Sequence, residues 1–144
     1  MESRPHAHVA LGAIAPATVA RALDAFCVAE RVPQEVAWRL QVALDEVVAN
    51  LVSHGTPASG QGAVDVWFRR DGPFVEITIA DDGPPFNPLE RPAPDLGRAL
   101  DAREAGGLVI FLVRALMDEV RYGRDDRNRL TLRKRIDAHA TDHP

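Results

Sequence analysis

The chain has 144 residues, with 17 Lys and Arg against 21 Asp and Glu, a formal net charge of -4 and one cysteine. That length suits a single domain, 1–144, able to bury roughly 68–70% of the surface its unfolded form exposes. One cysteine excludes a disulfide framework and a Cys-based zinc site, and the mild acidity argues against DNA or RNA as a direct partner.

In chain order, His8 to Gly12 reads as a short edge strand. Pro16 suits a first helical turn, and Val19, Ala22, Leu23, Phe26 and Cys27 repeat at helical spacing between Ala17 and Arg31. Cys27 falls in that stripe and is read as a small core residue. Pro33 opens a second helix, Gln34 to His54, which Gly55 and Pro57 stop. After a loop at 56–62, the strands Ala63 to Arg69 and Phe74 to Ala80 flank the hairpin signal Asp71-Gly72. Periodicity then breaks from Asp82 to Gly107, with five prolines between Pro84 and Pro94, so a lid is expected over about 84–107. A third helix, Leu108 to Asp118, precedes two strands, Glu119 to Tyr122 and Arg129 to Ile136, joined by the turn GRDDRN, and a tail at 137–144.

This order predicts an α+β fold, a two-layer α/β sandwich with a mixed sheet. His6 and His8 are read as part of an unstructured start rather than metal ligands. Trp38 and Trp67 are read as packing or interface residues, and Arg133-Lys134-Arg135 as a solvated basic run. No segment reaches the roughly 20 apolar residues of a membrane helix, and the start has no charged-then-apolar leader, so a cytoplasmic protein is expected.

Three places carry chemistry. Glu46, Asn50 and His54 stand at i, i+4 and i+8 along one face of the second helix, with Asp45 beside them. A carboxylate next to a carboxamide suits a magnesium-bound phosphate with a base nearby. The plainer reading is a solvated stripe, although Asn is a poor helix-interior residue. Asp81-Asp82-Gly83 follows a strand directly and presents a carboxylate at its end, or is a simple acidic turn. Ala105-Gly106-Gly107-Leu108 precedes a helix, where backbone N–H groups attract an anion, or is a plain loop-to-helix junction. Each signal is weak alone.

Together, ALDEVVANLVSHG, IADDGPPFNP, GGLVIFLVRALMDEV and RLTLRK resemble the anti-sigma-factor serine kinases of the RsbW type. These belong to the GHKL superfamily of histidine-kinase-like ATPases, whose ATP-binding fold is of the Bergerat type. The resemblance implies ATP and Mg2+ as cofactors. Asn50 matches the residue that holds Mg2+ on the triphosphate, and Glu46 the general base toward a partner's serine. His54 matches a further N-box neighbour. Asp81 matches the carboxylate that accepts from the adenine amino group, with Gly83 turning the backbone close to the base. Gly107, with the N–H groups of Leu108 and Val109, matches the phosphate-facing end of the lid. Thr131 matches a hydroxyl that supports Asp81.

The implied activity is that of a serine/threonine protein kinase acting on an anti-anti-sigma STAS-domain protein, in a partner switch that also holds a sigma factor. A homodimer is implied too, through the outer sheet face or the first helix. The sequence departs from the pattern at Pro85, at Val109 where a lid glycine is expected, and at Ala105 where an arginine is common, with Arg103 a substitute. These departures bear on phosphoryl transfer more than on adenine recognition. They motivate the alternative of a nucleotide-responsive protein-binding switch with little or no kinase activity.

Overall fold

The computed structural model describes residues 6–10, 12, 15–54, 62–83 and 105–136. The expected loop at 56–61, most of the lid and the tail lie outside the described residues. The elements run β1 (His6–Ala10), α1 (Ala15–Ala29), α2 (Gln34–His54), β2 (Ala63–Asp71), β3 (Phe74–Asp81), α3 (Ala105–Leu116), β4 (Glu119–Arg124) and β5 (Asn128–Arg135).

α1 and α2 form an antiparallel pair whose connection has a specific cap. Arg31 takes a left-handed φ of 55°, Val32 N–H reaches back to Cys27 O at 2.9 Å and Arg31 N–H to Val28 O at 3.2 Å. That pair of bonds is a Schellman motif with arginine where glycine is usual. Pro33 then provides the carbonyl that Ala37 N–H bonds at 2.8 Å, opening α2. Gln41 Nε2 donates to Ala20 O at 2.9 Å and ties the two helices together.

The five strands lie in the order β1-β2-β3-β5-β4, and every neighbouring pair is antiparallel. The expected mixed sheet is therefore corrected. After β3 the chain crosses by way of α3 to β4 at the edge, and the β4–β5 hairpin then inserts β5 between β3 and β4. β3 and β4 run the same way and are kept apart by β5, which runs against both.

Strand alternation divides the sheet into two faces. Val64, Val66 and Phe68 of β2, Val75, Ile77 and Ile79 of β3, and Leu130 and Leu132 of β5 share one core with Leu23 and Phe26 of α1, Leu40, Leu44 and Val48 of α2, and Val113 of α3. Burial of this apolar area is the main force that seats the helices on that face. Cys27 lies in the same core, as expected; burial, with Asp24 adding to it, pushes its thiol up to about 11.

The opposite face is a set of cross-strand polar rows. Arg69, Glu76, Arg133 and Glu119 stand directly opposite one another across β2, β3, β5 and β4. Their charges alternate, and successive pairs meet at 2.8, 3.0 and 3.4 Å. In the neighbouring rows His6 stacks on Trp67 at 4.9 Å, and His8 faces Asp65.

Two expectations change here. His6 and His8 belong to β1 and both bond Asp65 Oδ1, at 2.8 and 2.6 Å, so the strand starts earlier than expected and these two residues are part of it. The run from Arg133 to Arg135 is not simply solvated: Arg133 pairs with Asp71 and Glu76, Lys134 reaches Asp118 at 3.6 Å, and Arg135 lies over Phe74. Cross-strand register, which periodicity alone does not fix, supplies these partners.

Candidate nucleotide-binding site

The site begins with register. On the helix-facing side, Val64, Asp81, Asn128 and Arg124 form one row across β2, β3, β5 and β4. β3 ends at Asp81, so the chain leaves the sheet at the point where an acidic side chain faces the helices. Asp81 is buried, at 7% exposure. Its Oδ1 accepts the Gly83 N–H at 2.8 Å and Asn128 Nδ2 at 3.2 Å. No partner reaches Oδ2 among the described residues. An acceptor-only oxygen without a donor in a buried setting is costly unless something supplies one.

Asn128 is tied on both ends of its carboxamide. Nδ2 also donates to Gly83 O at 3.2 Å, while Oδ1 accepts from Tyr122 Oη at 2.5 Å and from Arg124 Nη1 at 3.1 Å. Arg124 Nη1 lies 3.4 Å from Gly83 O as well. The Asp81-to-Gly83 turn is thus held by a residue of the neighbouring strand, β5.

The same turn is held from the other face. Arg127, one residue before Asn128, points to the outer side and pairs with Asp82 Oδ1 and Asp65 Oδ2, each at 2.8 Å, and it donates to Ala80 O at 3.3 Å. Burial pushes the Asp65 carboxyl up, but hydrogen bonds from His8, His6 and Arg127 outweigh it and hold it below its ordinary value. Glu76 has the same balance: burial raises it, and Arg69 with Arg133 brings it below the usual range.

Glu46 and Asn50 lie along one side of α2, each half-buried, while Asp45 is exposed. Neither Glu46 nor Asn50 has a hydrogen-bond partner among the described residues. His54 closes the helix, and its side chain lies outside the described residues. α3 begins at Ala105, three residues before the expected Leu108, so Gly107 and Leu108 fall among its amino-terminal N–H groups and Val109 in its first turns. α3 packs against α2, the helix that carries Glu46 and Asn50.

One expected residue is misplaced. Thr131 stands opposite Thr78, on the outer face, in the row of Trp67 and Arg121. It does not meet Asp81; Asn128 does. Asn128 falls at the end of a turn-like run, where Asn is ordinarily read as a turn residue. Counting strand parity back from Leu130 and Leu132 would have found it, since Asn128 shares their face.

These features define a protein with a buried acidic strand end beneath a helical layer that carries a carboxylate and a carboxamide in line. Comparison with known proteins agrees. The model of the histidine kinase-like ATPase domain matches residues 12–134. Over 111 residues the chain is 31% identical to the serine/threonine-protein kinase BtrW of Bordetella bronchiseptica, covering 76% of this chain and 78% of that one. Over 109 residues it is 28% identical to the serine-protein kinase RsbW of Bacillus subtilis, covering 72% and 68%.

Among solved structures, the RsbU and RsbW domains of a Mycobacterium tuberculosis protein match with a TM-score of 0.62 at 20% identity, over 92% of this chain and 32% of that one. A blue-light activated histidine kinase of Erythrobacter litoralis matches with a TM-score of 0.56 at 19% identity, over 88% and 43%. The chain therefore spans less than half of these two solved chains, and at such identity they show the fold alone. The chain belongs to the histidine kinase-like ATPase domain family and, within it, to the RsbW-type serine/threonine kinases.

Proposed function

We propose that the chain binds ATP with the adenine amino group on Asp81 and transfers the γ-phosphoryl group to a serine of an anti-anti-sigma STAS-domain protein. A sigma factor is the competing partner, and the switch operates in the cytoplasm as a homodimer. The observation that carries the reading is the buried Asp81 carboxylate, whose Oδ1 holds two donors while Oδ2 holds none among the described residues. An exocyclic amine is the donor such an oxygen accepts.

Asn50 is the residue to hold Mg2+ on the triphosphate. A side-chain oxygen suffices because phosphates and water supply the remaining ligands of this ion. Bound there, the ion would neutralise charge on the phosphates. Gly107, in the first turn of α3, favours the phosphates through an N–H without an intrahelical partner and through the helix dipole, with Leu108 and Val109 following it. Glu46, one helical turn before Asn50, is the general base. As the serine oxygen bonds to the γ-phosphorus and ADP leaves, a Glu46 carboxylate oxygen takes the serine proton. His54 completes this line of α2.

The alternative, a nucleotide-responsive switch without catalysis, is not favoured, since the relatives that match most of the chain are kinases by name. Calorimetric titration with ATP and ADP, with and without Mg2+, is the test. Micromolar binding that Asp81→Asn abolishes supports the site; no binding at millimolar nucleotide overturns it. With labelled ATP and the STAS-domain protein, Glu46→Gln is expected to lose phosphoryl transfer and to keep ATP affinity within about threefold. Unchanged transfer in that variant removes Glu46 as the base.

A further inference from the structure

Asp81 reads a base only if Oδ2 stays an acceptor and stays where it is. The row Asp81, Asn128 and Arg124 shows how that is arranged. The Asn128 carboxamide has a donor end and an acceptor end that differ only by a half-turn. On one side stands a carboxylate, which as an anion only accepts; on the other stands the Arg124 guanidinium, which only donates. Between these two the carboxamide has one satisfactory orientation, with Nδ2 toward Asp81 and Oδ1 toward Arg124, and the observed bonds at 3.2 and 3.1 Å follow it. Tyr122 Oη, at 2.5 Å from the same Oδ1, adds a second anchor from the neighbouring row. Nδ2 then donates to Asp81 Oδ1 and leaves Oδ2 as the oxygen turned to a ligand.

We propose that Tyr122, Arg124 and Asn128 form a positioning relay that keeps Asp81 an oriented acceptor and thereby selects a 6-amino purine over a 6-oxo purine. This rests on the assignment of Asp81 to the base. A 6-amino group offers an N–H to Oδ2; a 6-oxo group offers a second acceptor, which the buried carboxylate repels. A site built on a single buried hydrogen bond discriminates strongly for this reason. If the relay is broken, Asp81 loses the Asn128 donor that fixes its orientation and can turn, and the 6-oxo group is no longer refused.

The test compares ATP with inosine triphosphate, which carries oxygen at position 6, by calorimetric titration. Asn128→Thr and Asn128→Val are similar in shape, and only the first has a hydroxyl to donate. Asn128→Thr is expected to keep the wild-type preference for ATP within about threefold, and Asn128→Val to lower it by about tenfold or more. A Tyr122→Phe, Arg124→Met double variant, which leaves Asn128 in place without these two donors to its Oδ1, is expected to lower it as well; it covers the case in which Asn128→Val does not fold. Equal weakening of both nucleotides in the valine or the double variant, with the preference unchanged, overturns the relay and leaves the Asp81 assignment standing. A wild-type protein that binds neither nucleotide overturns the base-site reading, and the relay with it.

Discussion

At the scale of single residues, the informative cases are those whose side chains have one chemical option. Asp81 and Asn128 are such a pair, and Thr131 shows how narrowly position decides. It lies three residues from Asn128 and so on the opposite face, beside Thr78. Thr131→Val is therefore expected to leave ATP affinity within about twofold, where Asp81→Asn abolishes binding; titration of the two variants side by side decides it. Asp81 was legible in the sequence because an acidic residue ends a strand before a glycine. Asn128 was not, because its neighbours Asp125 to Arg127 make the segment read as a turn. Cys27 gives a second prediction. With its thiol pushed up to about 11 by burial, it is expected to react with a disulfide reagent at neutral pH only as fast as the protein unfolds. Prompt stoichiometric labelling of the folded protein would contradict that.

Elements follow local rules more closely. α2 begins and ends where Pro33 and Gly55 predict. β2 runs two residues past its expected end, since the tight turn at Gly72, with φ of 58°, lets pairing continue to Asp71 opposite Phe74, and β3 runs one residue further than expected at its other end, to Asp81. α3 starts earlier than its apolar stripe, because periodicity marks the buried stretch of a helix and not its first turn. The α1–α2 connection departs from the usual rule in one residue. Arg31 holds a left-handed conformation that costs an L-residue roughly 1 kcal/mol. Arg31→Gly removes that strain, and the greater freedom of glycine in the unfolded chain offsets part of the gain. A net stabilisation of about 0.5 kcal/mol is expected, visible as a rise in Tm of roughly 1–2 °C. A fall in Tm would show that the arginine side chain contributes more than its backbone costs.

For the whole molecule, the two sheet faces have different rules. The helix-facing side was legible from alternation, since every buried valine, isoleucine and leucine there is part of a period-2 pattern. The outer side was not, because its order lies in which strand meets which, and at what register. Arg69, Glu76, Arg133 and Glu119 are far apart in the chain and adjacent only in the sheet. This side is expected to set the acid limit of the protein. Asp65 and Glu76 have folded values below their unfolded ones, so their contribution to stability is complete above the unfolded value, about 4, and is lost as the pH falls through the lower folded value. Tm is expected to be nearly flat from pH 7 to about pH 5 and to fall steeply below pH 4. A Glu76→Gln variant should have a lower Tm at pH 7 and a shallower acid limb. An unchanged acid limb in that variant would place the sensitivity elsewhere.

Arg127 and Asn128 are neighbours in the chain, and they grip the end of β3 from opposite sides. They work as a rivet driven through the sheet, its outer head on Asp82 and Asp65 and its inner head on Asp81. The β4–β5 turn at Asp125 and Asp126 is the exposed shank end of that rivet. Any load taken up by this turn arrives at the Asp81 carboxylate through Arg127 and the Asn128 side chain.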